Sequence, residues 1–203
     1  MPHSELIVKG KAWPSVSELV SLLDKPGIRY WVGLVGNEEA GKILKDTAKL
    51  GQTVHAAIEE FLTTGSFSSC GDKEVQKLFD VWFKWWGESG YKCTVLEKKV
   101  ISKKYKYHGT LDAILFTHKD YLTDWKISNS DDWFRVLQLA GYAQAYYEET
   151  GNKINNGLIV RVGKKDLKVH ETHVTDLFKY VPYFLLLRKL YDFIKKAKKW
   201  MHK

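Results

Sequence analysis

The chain has 203 residues, 44% of them apolar and 28% charged, which is the composition expected of a soluble globular protein with one substantial core. It has no run of about 18 apolar residues, and the opening "MPHSELIVKGKAWPS" lacks the apolar stretch of a secretory signal, so the expectation is an intracellular, cytoplasmic protein with no membrane partner. Lys and Arg outnumber Asp and Glu by 32 to 24, and two cysteines, Cys70 and Cys93, supply neither a disulfide framework nor a four-thiolate metal or iron–sulfur site.

In chain order, "WPSVSELVSLLDKPG" opens with a capping box, Ser15 with Glu18. Val16, Leu19, Val20 and Leu23 follow at helical spacing, and Pro26-Gly27 is the expected stop. "IRYWVGLVGNEEAGKILKDTAKLG" predicts one or two further helices, broken somewhere among Gly33, Gly36 and Gly41. "QTVHAAIEEFLTTG" predicts a separate helix with Val54, Ile58, Phe61 and Leu62 inward and Gly65 as its end. "DKEVQKLFDVWFKWWGESG" predicts another, its stripe of Val75, Leu78, Phe79, Trp82, Trp85 and Trp86 following the packing period of a core rather than a base-stacking platform.

The pattern then changes to "CTVLEKKVIS", "YHGTLDAILF" and "YLTDWKIS", three consecutive antiparallel strands. "DDWFRVLQLAGYAQAYYEETG" predicts a long amphipathic helix with Asp131 or Asp132 near its start. "INNGLIVRVGKKDLKVHETHV" predicts a hairpin turning at Gly163-Lys164-Lys165, and the stretch from Thr175 to Trp200 a closing helix with Pro182 in its first turns. Strands, helix, strands and helix behind a helical leader predict an α/β or α+β sheet covered by helices. The expected organisation is one domain, with residues 1–92 helical and 93–203 forming the sheet core.

Charge is unevenly placed. Lys98, Lys99, Lys103, Lys104 and Lys106 cluster before the second strand, and Lys195, Lys196, Lys198, Lys199 and Lys203 close the chain. The terminal group is read as a solvated, frayed tail. Two clusters in a chain of pI near 9.2 nonetheless point to a polyanionic partner, nucleic acid before an anionic membrane.

The strand pair raises a chemical question. A turn centred on His118 sets Phe116 opposite Asp120, Ile114 opposite Leu122, and Asp112 opposite Asp124, with Lys126 on the same face as Asp124. An edge-strand ion pair explains Asp124 with Lys126, and a helix cap explains Asp112, when each is taken alone. Together, flanked by Leu111, Ala113, Ile114, Leu115 and Trp125, two converging carboxylates call for a cation. Oxygen ligands suit Mg²⁺ or Mn²⁺. His55, on the helix that also carries Glu59 one turn later, offers an imidazole as third ligand, and Glu59 either orients it or reaches a second metal.

These residues resemble the PD-(D/E)XK nuclease superfamily. "GTLD" (Gly109 to Asp112), "DWK" (Asp124 to Lys126) and "QLAGY" (Gln138 to Tyr142) follow its order, and "LGQTVHAAIEEFL" is similar to the His-bearing helix of the RecB-like exonuclease branch. Even "WPSVSELVSLL" resembles the leader of small phage and viral members. The resemblance implies a restriction-endonuclease-like core, a central mixed sheet flanked by helices with a helical N-terminal extension. It implies that His55, Asp112, Asp124 and the main-chain carbonyl of Trp125 bind Mg²⁺ or Mn²⁺, and that Lys126 positions or activates water and stabilises charge on the phosphate. Gln138 and Tyr142 would orient the site or the strand, with Glu97 as an accessory group. The chain departs from members with an iron–sulfur cluster, because it lacks the four cysteines. The activity so implied is an exonuclease on single-stranded or frayed DNA ends in replication, recombination or repair. Lys98, Lys99, Lys103, Lys104 and Lys106 would grip the backbone. A structure-specific or nicking endonuclease of the same fold and a catalytically silent nucleic-acid-binding module are the alternatives.

Overall fold

The computed structural model describes residues 6–8, 11–23, 26–68, 71–130 and 132–201; Asp131, Cys70 and Lys203, all invoked above, lie outside them. Two short strands, β1 (Leu6–Val8) and β2 (Lys11–Trp13), pair antiparallel ahead of helix α1 (Val16–Val20), a small hairpin that the sequence pattern did not announce. Ser15 caps α1 as expected, its hydroxyl accepting the Glu18 N–H at 3.0 Å. The helix stops at Val20, well before Pro26. That proline opens α2 (Pro26–Val35) instead, at a position where a missing N–H costs nothing.

α3 (Asn37–Thr64) is one unbroken helix that runs straight through Gly41 and Gly51, so the separate helix expected after Gly51 does not exist. α4 (Lys73–Ser89) starts at Asp72, whose carboxylate accepts the Glu74 and Val75 N–H groups, and ends at Gly90 in the left-handed conformation (φ 69°).

Five strands follow, β3 (Lys92–Ser102), β4 (Tyr107–Phe116), β5 (Asp120–Ile127), β6 (Asn156–Val162) and β7 (Val169–Val174), lying side by side in that order. The first three form the expected antiparallel meander. β5 and β6 are parallel, joined over one face by α5 (Arg135–Thr150), and β7 returns antiparallel. A 3₁₀ turn at Leu177–Lys179 precedes α6 (Val181–Met201), which therefore starts later than Thr175. The result is an α/β fold with a mixed central sheet between helices, as a restriction-endonuclease-like core requires.

Each face of the sheet has its own core. On one, Leu19 of α1, Leu139 of α5 and Phe184 of α6 pack against Leu111 and Leu122. On the other, Val54 and Ile58 of α3 and Leu78 and Trp82 of α4 pack against Leu115, Trp125 and Val160. The aromatic stripe of α4 is core: Trp82 meets Trp125 edge-to-face at 5.8 Å, and the Trp85 indole N–H donates to Glu171. Among the described residues no helix is long and apolar enough to cross a membrane.

Candidate active site

β4 and β5 part company at the residues of interest. Their pairing runs Phe116↔Asp120, Leu115↔Tyr121, Ile114↔Leu122 and Ala113↔Thr123, the register of a turn centred on His118, and there it ends. The next pair in that register is Asp112 with Asp124. Instead of a ladder rung, the Asp112 carboxylate reaches into the fork, and its Oδ2 accepts the Trp125 backbone N–H at 2.8 Å. β3 is irregular at the same level. Leu96↔Ala113 and Lys98↔Leu111 are paired, but Glu97 between them has φ 45°, a conformation costly for a side chain larger than glycine. Alternation along β4 breaks here too, for Leu111 and Ile114 belong to the α5 core while Ala113 and Leu115 belong to the α3–α4 core.

On β5, Tyr121, Trp125 and Ile127 face α3 and α4 and Leu122 faces α5, so Asp124 and Lys126 share the α5 side. Asp124 is 1% exposed, and among the described residues neither carboxylate oxygen receives a hydrogen bond. The Lys126 ammonium lies 2.8 Å from Oδ1, an ion pair by distance but outside hydrogen-bond alignment. A buried carboxylate with so few donors is expensive and poised for a cation.

α3 brings His55 to the other side of the fork, with Nδ1 3.8 Å from Asp112 Oδ2. Burial lowers the imidazole pKa, partly offset by the Asp112 carboxylate and by a hydrogen bond to the Trp125 backbone. Burial raises the Asp112 carboxyl, and Asp124 raises it further, against the pull of His55 and Lys126. A cleft of ≈ 480 Å³ between α3 and the sheet is lined by His55, Glu59, Glu97, Thr110, Asp112 and Lys126. Glu97 is pushed up to about 7, by burial first and then by Asp112 and Glu59.

α5 closes the site from behind. Gln138 Nε2 donates to the Tyr142 hydroxyl at 3.1 Å, and burial, then Asp112 and Asp124, push the Tyr142 phenol upward. The Gly109 of "GTLD" explains itself here, since a Cβ at that position would stand 2.5 Å from Cε1 of Tyr142. Two participants escaped the sequence reading. Arg135 donates to Gln138 Oε1 at 3.3 Å and to Asp132 at 3.1 Å, and Ser17 hydrogen-bonds Tyr142. Arg135 stands three residues before Gln138, on the same helical face, which is a signal the sequence did carry.

The five lysines divide. Lys98 and Lys99 pair with Leu111 and Thr110 on the edge strand beside Asp112, whereas Lys103, Lys104 and Lys106 sit at the far tip of the β3–β4 hairpin, with Lys104 over the Tyr105 ring at 5.1 Å. All five are exposed.

Among the described residues, no three His, Cys, Asp or Glu side chains are already gathered as a metal cage. The donors nevertheless suit a hard divalent cation, because the buried Asp124 oxygens lack donors and Asp112, His55 and the Trp125 main chain stand beside them.

No protein-family model matches the chain, and no curated protein does. Among solved structures it is similar to SSO0001 (17% identity, TM-score 0.48, covering 90% of this chain and 76% of that one). It is also similar to a proposed exonuclease of Eubacterium rectale (12% identity, TM-score 0.47, covering 69% and 68%). A third similar structure is an alkaline exonuclease of Laribacter hongkongensis (10% identity, TM-score 0.31, covering 74% and 86%).

Proposed function

We propose that the protein is a metal-dependent deoxyribonuclease that hydrolyses phosphodiester bonds, acting as an exonuclease on single-stranded or frayed ends. The observation that carries this reading is the donorless Asp124 carboxylate at the strand fork, beside Asp112 and Lys126. A structural ion pair explains Lys126 with Asp124 but not why a second carboxylate, held with a raised pKa, shares the spot. The resemblance of the motifs to the RecB-like branch is the support for exonuclease over endonuclease.

Asp112, Asp124, His55 and the Trp125 carbonyl would hold Mg²⁺ or Mn²⁺, which when bound supplies a water acidic enough to attack at neutral pH and positive charge for the leaving oxygen. The Trp125 N–H fixes the Asp112 carboxylate, so one of its oxygens is oriented before any ligand arrives. Lys126 places a fixed charge where the phosphate becomes more negative in the transition state. Gln138 and Tyr142 bar water from the rear of the carboxylate pair. Lys98 and Lys99, at the open edge, meet phosphates without reading bases.

The test is hydrolysis of end-labelled DNA with Mg²⁺ or Mn²⁺. Asp124→Ala and Lys126→Ala are expected to lose about 10²-fold or more in rate. Equal activity in wild type and variants overturns the assignment, and cleavage of a covalently closed circle turns it into an endonuclease. A second reading, a catalytically silent nucleic-acid-binding module, draws on the Lys126 ammonium already standing against Asp124. Calorimetry with Mn²⁺ separates the two, since the silent module shows no binding that depends on Asp112 and Asp124.

A further inference from the structure

The connection from β5 to α5 holds a tryptophan out in solvent. Trp133 is 70% exposed, and its indole meets Phe134 edge-to-face at 6.1 Å, so a face of the ring stays open. The connection itself is pinned. Arg161 Nη1 donates to the Ser128 carbonyl at 3.2 Å, the Lys165 N–H to the Asn129 side chain at 2.9 Å, and the Val136 N–H to the Trp133 carbonyl at 3.4 Å. A single exposed aromatic is ordinary on a protein surface. Trp133 differs by where it stands, at the rim of a hollow of ≈ 80 Å³ whose walls include Lys126, Ser128, Arg135 and Arg161. Among the described residues, Asp132 is the one carboxylate lining it. Arg135 uses two of its five N–H donors on Gln138 and Asp132, and the other three meet no acceptor among the described residues. Lys126, next to the end of β5, lines both this hollow and the ≈ 480 Å³ cleft that holds Asp112.

We propose that Trp133 and this hollow form a subsite for one nucleotide of a single DNA strand, next to the reacting phosphate. The base stacks on the Trp133 indole, and its phosphate lies in the hollow against Arg135. This subsite rests on the nuclease reading and gives it a reason to select unpaired strands. A base inside a duplex is already stacked between its neighbours, so only an unpaired one can turn a face to the indole. Every base has such a face, so the contact holds the strand without reading its sequence. The shared Lys126 decides for a chain of phosphates over a small free anion. A strand with one phosphate at Asp112 and Asp124 passes that ammonium on its way over the end of β5, and the guanidinium of Arg135 receives the next phosphate.

The probes are a labelled oligothymidylate and a sugar-phosphate chain of the same length without bases. Binding to the full chain is followed by fluorescence anisotropy in metal-free buffer, where nothing is cut. Trp133→Ala is expected to weaken the oligothymidylate about tenfold and to leave the baseless chain within about twofold, and Trp133→Phe to keep most of the wild-type affinity. The position faces solvent, so both variants keep their fold, which a thermal melt verifies. A blunt duplex is expected to bind wild type and Trp133→Ala alike. Arg135→Gln is expected to weaken both strands together and to make the dependence of log Kd on log salt shallower by about 0.7, the share of one phosphate contact. Equal affinity of wild type for the two strands, an equal loss on both in Trp133→Ala, the same loss on blunt duplex, or an unchanged salt slope in Arg135→Gln overturns the proposal. Hydrolysis with Mn²⁺ is scored separately. Cutting without the base-dependent difference removes the subsite alone, whereas the difference without cutting supports the subsite and removes the nuclease reading.

Discussion

Asp124 and Lys126 face each other with unequal needs. The carboxylate is sealed inside the fold without a hydrogen-bond donor, while the ammonium keeps a route to the cleft. Lys126→Met therefore leaves an uncompensated buried charge, and the metal-free variant is expected to lose about 3 kcal/mol of stability by urea unfolding. Millimolar Mn²⁺ should return much of it, because the cation takes over the neutralising role; a loss that Mn²⁺ leaves unchanged removes Asp124 from the ligand set. Gly109 makes a different demand. Adding one methyl there drives it into the Tyr142 ring, so Gly109→Ala is expected to cost about 1–3 kcal/mol by overpacking and to lower hydrolysis by displacing the side chain behind both carboxylates. Asp124 stands out in the sequence as a charge at the end of an apolar run, and Gly109 only through the "GTLD" motif that carries the resemblance. Glu97 is named in sequence as an accessory group, but its left-handed backbone is not foreseen, because nothing in the composition of β3 signals it.

Elements were legible where one periodicity ruled and obscure where glycine and proline supplied the only punctuation. The α4 stripe and the β3–β4–β5 meander follow patterns of 3.6 and 2, and their packing matches. α3 defeated the same approach. Of the candidate breaks Gly33, Gly36 and Gly41, and of the separate helix expected after Gly51, only Gly36 holds, because a solvated helix tolerates a glycine at roughly 1 kcal/mol; Gly36 and the expected stop Gly65, both with positive φ, are where the chain turns. Pro26 reads in sequence as the end of one helix and stands at the start of the next. The helical glycine offers a clean experiment. A Cβ at Gly41 would meet no atom within 4 Å, so Gly41→Ala is expected to raise stability by about 0.4–1 kcal/mol without changing hydrolysis, checked by thermal unfolding beside an activity assay.

At the scale of the whole molecule, the candidate site sits where the two cores meet the split between β4 and β5, so ionisation there is coupled to folding. Glu97 has a folded pKa raised to about 7, above its unfolded value, with Asp112, Glu59 and Lys126 as its charged neighbours. Asp112 is raised as well. For both carboxyls the neutral form is favoured in the folded chain. Their contribution to stability is fully present below the unfolded carboxyl range and is lost as pH rises through each raised folded value, which for Glu97 is about 7. His55 runs the other way: its lowered pKa means that its contribution is present above about 6.5 and is lost as pH falls through the lowered value. The two trends are separated by Glu97→Gln. Relative to wild type, this variant is expected to gain stability as pH is raised from 5 to 8 in metal-free buffer, and to show little difference at pH 5. A divalent cation bound by the ionised carboxylates should then stabilise wild type more at pH 8 than at pH 5, since it no longer competes with their protons. By mass action the gain reaches about 2.7 kcal/mol at a hundredfold excess over its dissociation constant. Melting curves with and without Mn²⁺ at the two pH values measure both effects. A cation response that is flat with pH, or that survives Asp112→Asn together with Asp124→Asn, places the ion elsewhere on the protein.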